Sequence, residues 1–453
     1  MTTAPAIRIE AIDLFEREMT FLHPFRFGDV TVRSAPQAFV RVVISVDGAG
    51  RASGATAEMM MPRWFDRRPE RSPAETVDDL RRSLVSARDA YLAAEGADTA
   101  FGHRVRFEAA AAPTPVTPEL VTSYGPSVID KAILDALFRA FGTNARDGIT
   151  GNLAGLDARL TPDLDEVGIY AVLSDLAPPA AVAVRWTVGM VDDLDALDHS
   201  LAESGIRHLK IKLGGDPEAD VERLAAIGRR LGDRAIDGVT LDANEQYRPD
   251  PLARFVEALQ SRDDLAFARR RFLYLEQPFP RDLTLATPLG AVAEAVPVII
   301  DESDGRFDAF PRAVGLGYRG VSSKSCKGLY KALLNGARAR RLSAEAGQPG
   351  RFFVAGEDLT CQPGLAVQQD TALAALLGIA HVERNGHHYV DGFGPAPAAE
   401  ADAMAAAHPD LYSNGGEGWR LTVRGGVLPT ASLLTAPGFA SGAEPDFSAM
   451  RAI

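Results

Sequence analysis

Eight short apolar runs alternate with amphipathic stretches along the middle of this chain, and that alternation constrains the fold more than any other feature. The runs span residues 182–188, 209–213, 238–241, 272–275, 296–300, 320–323, 352–354 and 379–382. Between them lie segments of helical period, among them 217–231, 251–262 and 329–346. Runs that are apolar throughout suit strands buried on both faces, which means a parallel sheet covered by helices. Eight of them match a closed (β/α)8 barrel. An open doubly wound sheet is the competing fold, but it calls for a Gly-rich phosphate turn after its first strand, and none follows residues 182–188.

The segment before the barrel reads differently. Residues 7–15 and 38–46 alternate as antiparallel strands do, and Asp47-Gly48 is a hairpin signal. Helical periodicity follows over 73–95 and 127–141, with Pro126 near the first turn of the second helix and Gly142 past its end. The expected organisation is an α+β unit over 1–160, the barrel over 161–395 and a segment without clear period over 396–453.

Composition narrows the classes. No apolar run reaches the roughly 20 residues that span a bilayer, and the N-terminus carries no secretory pattern. Two cysteines, Cys326 and Cys361, suit free thiols in a reducing cytoplasm. A net charge of −13 with only scattered basic pieces (Arg67-Arg68, Arg229-Arg230, Arg269-Arg270-Arg271) argues against nucleic acid as a partner.

Five polar clusters close successive apolar runs: Lys210-Ile211-Lys212, Asp242-Ala243-Asn244, Glu276-Gln277-Pro278, Asp301-Glu302-Ser303 and Lys324-Ser325. In a barrel these strand ends converge on one mouth. Taken singly, a Lys-Ile-Lys is an edge-strand charge pair, and an Asp at a strand end is a helix cap. Collectively they repeat at corresponding places, which capping does not explain. Three carboxylates side by side require a cation or raised pKa values. Hard oxygen donors with no Cys or His favour Mg2+ first and Mn2+ second. Strands two and six face each other across an eight-stranded ring, so Lys212 and Lys324 flank the acids. Lys210 shares a strand face with Lys212, and its charge is expected to lower the pKa of Lys212.

These clusters resemble the signature of the enolase superfamily, in its mandelate racemase and muconate lactonizing branch. Pro24-Phe25-Arg26-Phe27-Gly28 and Ala132-Ile133-Leu134-Asp135 are similar to segments of that family's capping domain. The resemblance implies that residues 396–453 return to the cap and that the protein is a homo-oligomer. It implies Asp242, Glu276 and Asp301 as metal ligands, with Asn244 and Glu302 supporting them. Lys212 and Lys324 would be acid/base groups, Lys210 an electrostatic partner, and Glu383 of His381-Val382-Glu383-Arg384 a protonated hydrogen-bond donor.

The implied activity is Mg2+-dependent removal of the α-proton of a small carboxylate substrate to give an enediolate. Two opposed lysines favour a racemase or epimerase. Acid-sugar dehydration and cycloisomerisation begin with the same step, and a non-catalytic metal-binding barrel is the alternative of another class.

Departures from the pattern concern the substrate. Where the racemase branch carries a His on strand seven, this chain has Gly356-Glu357-Asp358, and Glu357 and Asp358 either contact substrate or cap the next helix. The paired acidic motif of dipeptide epimerases is not visible in Glu383-Arg384-Asn385. Cap loops at 21–29 and 54–66 are expected over the mouth, with His23, Arg26, Arg63 and Trp64 as candidate contacts. Lys327 is expected as a surface charge at a helix start, Cys326 as a packed thiol and His387-His388 as a solvent loop.

Overall fold

The structure is a computed structural model that describes residues 4–27, 30–110, 117–384 and 386–453, without the side chains of 25–27. Three antiparallel strands open it: β1 (Ile7–Phe27), β2 (Val30–Val46) and β3 (Gly50–Met59). The turn at Asp47-Gly48 sets the second register, with Val46 opposite Gly50, and Gly48 takes the positive φ of +81° that the turn needs. The first two strands run further than the alternation over 7–15 and 38–46 suggests. Thr20 pairs with Ser34 and Phe27 with Val30, so the expected loop at 21–29 is mostly the end of a long hairpin.

Helix α1 (Pro73–Ala93) starts at a capping box, with Ser72 accepting from the Glu75 N–H and Glu75 accepting from the Ser72 N–H. Helices α2 (Ala100–Ala110) and α3 (Glu119–Ala140) complete the cap. Pro126 lies inside α3 and not in its first turn, a correction to the sequence reading. The helix is extended toward its N-terminus because α1 crosses there at backbone contact. A Cβ on Gly125 would sit 2.2 Å from the Ser83 carbonyl oxygen. Strand β3 meets α3 as closely, since a Cβ on Gly54 would lie 2.1 Å from the Ala136 nitrogen.

Eight parallel strands follow: β4 (Ala181–Val188), β5 (His208–Lys212), β6 (Gly238–Asp242), β7 (Phe272–Glu276), β8 (Val298–Ile300), β9 (Gly320–Ser323), β10 (Phe353–Glu357) and β11 (His381–Glu383). They pair in chain order, and β11 closes on β4 with Glu383 opposite Arg185. The chain is therefore a closed eight-stranded parallel barrel with helices, preceded by an antiparallel cap. All eight apolar runs became strands, because each is too short and too uniformly apolar to be stable outside such a sheet. After a hairpin of β12 (Tyr412–Asn414) and β13 (Trp419–Leu421), β14 (Val427–Pro429) adds antiparallel to β4, and β15 (Arg451–Ala452) adds to β1.

One buried carboxylate binds these parts together. Asp135 of α3 accepts from the Ala55 N–H of β3 at 2.8 Å and from the Phe439 N–H of the C-terminal segment at 2.8 Å. No helix among the described residues is long and apolar enough to cross a membrane.

Candidate active site

Strand alternation turns a residue near the end of each barrel strand, and two on β5, into the bore. The inward set is Thr187 on β4, Lys210 and Lys212 on β5, Asp242 on β6, Glu276 on β7, Asp301 just past β8, Lys324 just past β9, Glu357 on β10 and Glu383 on β11. Lys210 is the hub. Its Nζ lies 2.9 Å from Asp242, 3.1 Å from Glu276, 2.5 Å from Glu357 and 2.6 Å from Glu383. Burial alone would push this ammonium down, but the surrounding carboxylates overcome it and hold Lys210 well above the ordinary lysine range.

Lys212 reaches Asp242 Oδ2 at 2.6 Å, and Lys210 meets the same oxygen. A shared carboxylate thus stands where the sequence suggests a bare like-charge pair. Despite burial, Lys210 and Lys212 hold the Asp242 carboxyl down at about 2. Across the ring, Lys324 Nζ donates to Asp301 Oδ2 at 2.6 Å and Glu357 Oε1 at 2.5 Å. Burial opposes the charge on Lys324, yet Asp301 and Glu357 raise its pKa. The Trp64 ring lies over this ammonium, its centroid 4.5 Å from Nζ.

The acids divide their protons unequally. No donor is aligned on either Glu276 oxygen, although both are buried. Burial and the neighbouring Glu357 push the Glu276 carboxyl well above its usual range. Glu357, by contrast, is held well below it: Lys210 and Lys324 outweigh its burial. Ser322 also donates to Glu357, at 2.7 Å. Glu276, Asp301 and Glu357 each present an oxygen within 4.8 Å of the others, an arrangement that could hold a metal ion. Asp242 stands beside this group, engaged by both lysines of β5.

Supporting residues lie around the mouth. The Asn244 N–H donates to Asp242 Oδ1 at 2.9 Å, and its side chain donates to Glu302 at 3.3 Å. Burial, then the negative charges of Asp301 and Glu245, raise the Glu302 carboxyl to about 7. Arg67, from the cap, lies 3.6 Å from Glu302 and 3.3 Å from Glu245. Arg281 also binds Glu245, and it donates to the carbonyls of Trp64 and Phe65, which fixes the loop that brings Trp64 over Lys324.

Several sequence expectations change. Lys327 is not a surface charge. It is buried and donates to the Asp301 carboxylate at 2.9 Å and to the Ser322 carbonyl at 2.6 Å, because the chain after β9 turns through a short 3-10 helix back over the barrel end. His387-His388 is not a solvent loop. The helical turn Gly386–Tyr389 places both rings against Trp186, with centroids 5.9 and 4.8 Å away. Burial pushes His387 down to about 4.

Glu357 and Asp358 separate: Glu357 enters the cluster, while Asp358 turns outward to accept from the Thr360 and Cys361 N–H groups and from Arg384. Glu383 accepts from Thr187 at 2.5 Å through Oε1, while its Oε2 lies 2.6 Å from Lys210. His23 is exposed on the hairpin, its ring centroid 5.5 Å from that of His388. Arg63 is committed to the carbonyls of Arg67 and Arg71, and the side chain of Arg26 lies outside the described residues. Cys326 and Cys361 are free, buried thiols, as expected.

Sequence reasoning passed over Arg185, which is fully buried within the barrel and donates to the Gly356 and His381 carbonyls. It also passed over Gln277, whose side-chain oxygen accepts from the Asp301 and Ser303 N–H groups at 2.8 and 3.2 Å and so ties the end of β7 to that of β8. A strand-end glutamine before a proline was the available signal.

A barrel mouth of carboxylates between opposed lysines, beneath an antiparallel cap, defines a class of protein. Residues 192–328 match the model of the enolase C-terminal domain-like family, in line with the resemblance of the strand-end clusters to the enolase superfamily. The hydrophobic dipeptide epimerase of Citrifermentans bemidjiense is 30% identical over 185 residues, 40% of this chain and 47% of that protein; the match spans about half of its length. A solved enolase-superfamily member from Roseovarius nubinhibens, complexed with magnesium, has 21% identity and a TM-score of 0.61, covering 99% of this chain and 98% of the other. The muconate lactonizing enzyme of Pseudomonas fluorescens, complexed with muconolactone, has 17% identity and a TM-score of 0.62, covering 98% of each chain.

Proposed function

We propose that this protein is a Mg2+-dependent racemase or epimerase that removes and returns the α-proton of a small carboxylate substrate. One observation carries the reading: Lys212 and Lys324, on opposite strands of the ring, each hold a carboxylate at 2.6 Å and flank one cluster of acidic oxygens. The cluster suits a hard divalent cation, since both Glu276 oxygens are buried with no aligned hydrogen bond and, among the described residues, no Cys or His joins the acids. Asp242, Glu276 and Asp301 would hold the ion, with Glu357 in reach of the last two. When bound, Mg2+ would bind the substrate carboxylate and stabilise negative charge as the α-proton leaves.

The chain's own residues do the rest. Lys324, kept as an ammonium by Asp301 and Glu357, enters as the proton donor on one face. Lys212 takes the proton on the other face. Trp64 covers Lys324 and excludes water from it. The epimerase relative and the magnesium complex of the structural neighbour support this reading.

The test is incubation with Mg2+ and a library of chiral carboxylic acids, dipeptides included, in D2O. The expected result is deuterium at the α-carbon of at least one acid, lost in the Lys212→Ala/Lys324→Ala double variant. Incorporation that survives in the double variant would refute the two-lysine mechanism.

A further inference from the structure

At three adjacent strand ends an inward residue of the cluster is followed directly by an outward, buried polar one: Lys324 by Ser325, Glu357 by Asp358, Glu383 by Arg384. The outward residues are joined. Arg384, fully buried, donates to Asp358 Oδ2 at 2.5 Å and to Asp370 Oδ2 at 2.7 Å. The other oxygen of Asp370 accepts from the Ser325 N–H at 2.9 Å. The Ser325 hydroxyl then donates to Glu58 of the cap at 2.7 Å, and Lys131 of α3 lies 2.8 Å from the same carboxylate. A line of buried charges therefore runs from the cap behind β9, β10 and β11.

Two buried carboxylates converge on one guanidinium, an arrangement with a large desolvation cost that good geometry only offsets. Its planar fork is the part that a lysine cannot copy. We propose that Arg384 is a positioning residue, which fixes Lys324, Glu357 and Glu383 in the cluster by holding their chain neighbours. The roles of those three groups rest on the proposed function; their wiring through Arg384 does not. A displacement of about 1 Å at such a site can cost on the order of 100-fold in rate, so a rigid outer layer has a chemical purpose.

The test uses the full chain with Arg384→Lys, and with the triple change Arg384→Met/Asp358→Asn/Asp370→Asn, which leaves no unpaired acid. Acetic anhydride labelling, read lysine by lysine by mass spectrometry, is compared at Lys324 and at Lys212 across the ring. In a variant that still melts cooperatively, labelling of Lys324 should rise about ten-fold or more while that of Lys212 stays within two-fold. For an acid that the wild type exchanges, kcat should fall by a similar factor with KM little changed. Unchanged labelling of Lys324, an equal rise at both lysines, or loss of folding in both variants would overturn the positioning role. Labelling needs neither metal nor substrate, so failure of the wild type to exchange any α-proton counts against the proposed function alone.

Discussion

Glu302 shows how one buried side chain sets a pH dependence. Its carboxyl is raised from 4.5 to about 7, chiefly by burial and then by Asp301 and Glu245. The folded state therefore binds this proton more tightly than the unfolded chain does. Stability from the protonated form is complete below the unfolded value and is lost as pH rises through about 7. Glu302→Gln keeps an oxygen for the Asn244 side chain and removes the charge. Its melting temperature should exceed that of the wild type by a few degrees at pH 8 and match it near pH 5, as measured by calorimetry at both values. A variant no more stable at pH 8 would show that Glu302 is compensated in another way.

Elements are held to one another by buried pairs of the same kind. Lys131 of α3 and Glu58 of β3 meet at 2.8 Å, nearly inaccessible to solvent, and the Lys131 ammonium also donates to the Ala57 carbonyl and to Ser325. Removing one partner leaves an isolated buried charge, at a cost of about 3–5 kcal/mol. Lys131→Met should lower the denaturant midpoint substantially, and Lys131→Met/Glu58→Gln should recover much of the loss. Additive effects of the two changes would contradict the pairing.

At this scale the sequence was most legible in the barrel. Strands there are short, apolar and mostly closed by charge, so β4 to β11 and the polar ends of β5 to β9 follow from pattern alone, whereas Thr187 on β4 and the entry of Glu357 into the cluster do not. The cap was less so: the extension of β1 to Phe27 and the start of α3 at Glu119 depend on contacts with distant segments. Lys327 and Asp358 were obscure for a related reason. Spacing along the chain does not say which way a side chain turns after a strand ends.

Across the whole molecule, the cap and the barrel meet at one charged cluster, with Trp64 over Lys324 and Arg67 beside Glu302, so occupancy of that cluster should be felt by both. A divalent ion that binds only the folded state stabilises it by RT ln(1 + [L]/Kd), about 2.7 kcal/mol at 100 times Kd. Mg2+ should therefore raise the melting temperature, and EDTA should reverse the rise. Because burial and Glu357 raise the Glu276 carboxyl, an ion that binds it competes with its proton, and affinity should increase with pH. Calorimetric titration with Mg2+ or Mn2+ at two pH values reads this; affinity that falls with pH would exclude Glu276 as a ligand.

The opposed lysines are the centre of the account, and single-enantiomer exchange tests them most directly. With an acid that the wild type racemises in D2O, each single variant keeps one base and should wash out the α-proton of one enantiomer only. Lys212→Ala and Lys324→Ala should then retain exchange with opposite enantiomers. Retention with the same enantiomer by both variants, or full exchange of both enantiomers by either, would contradict it.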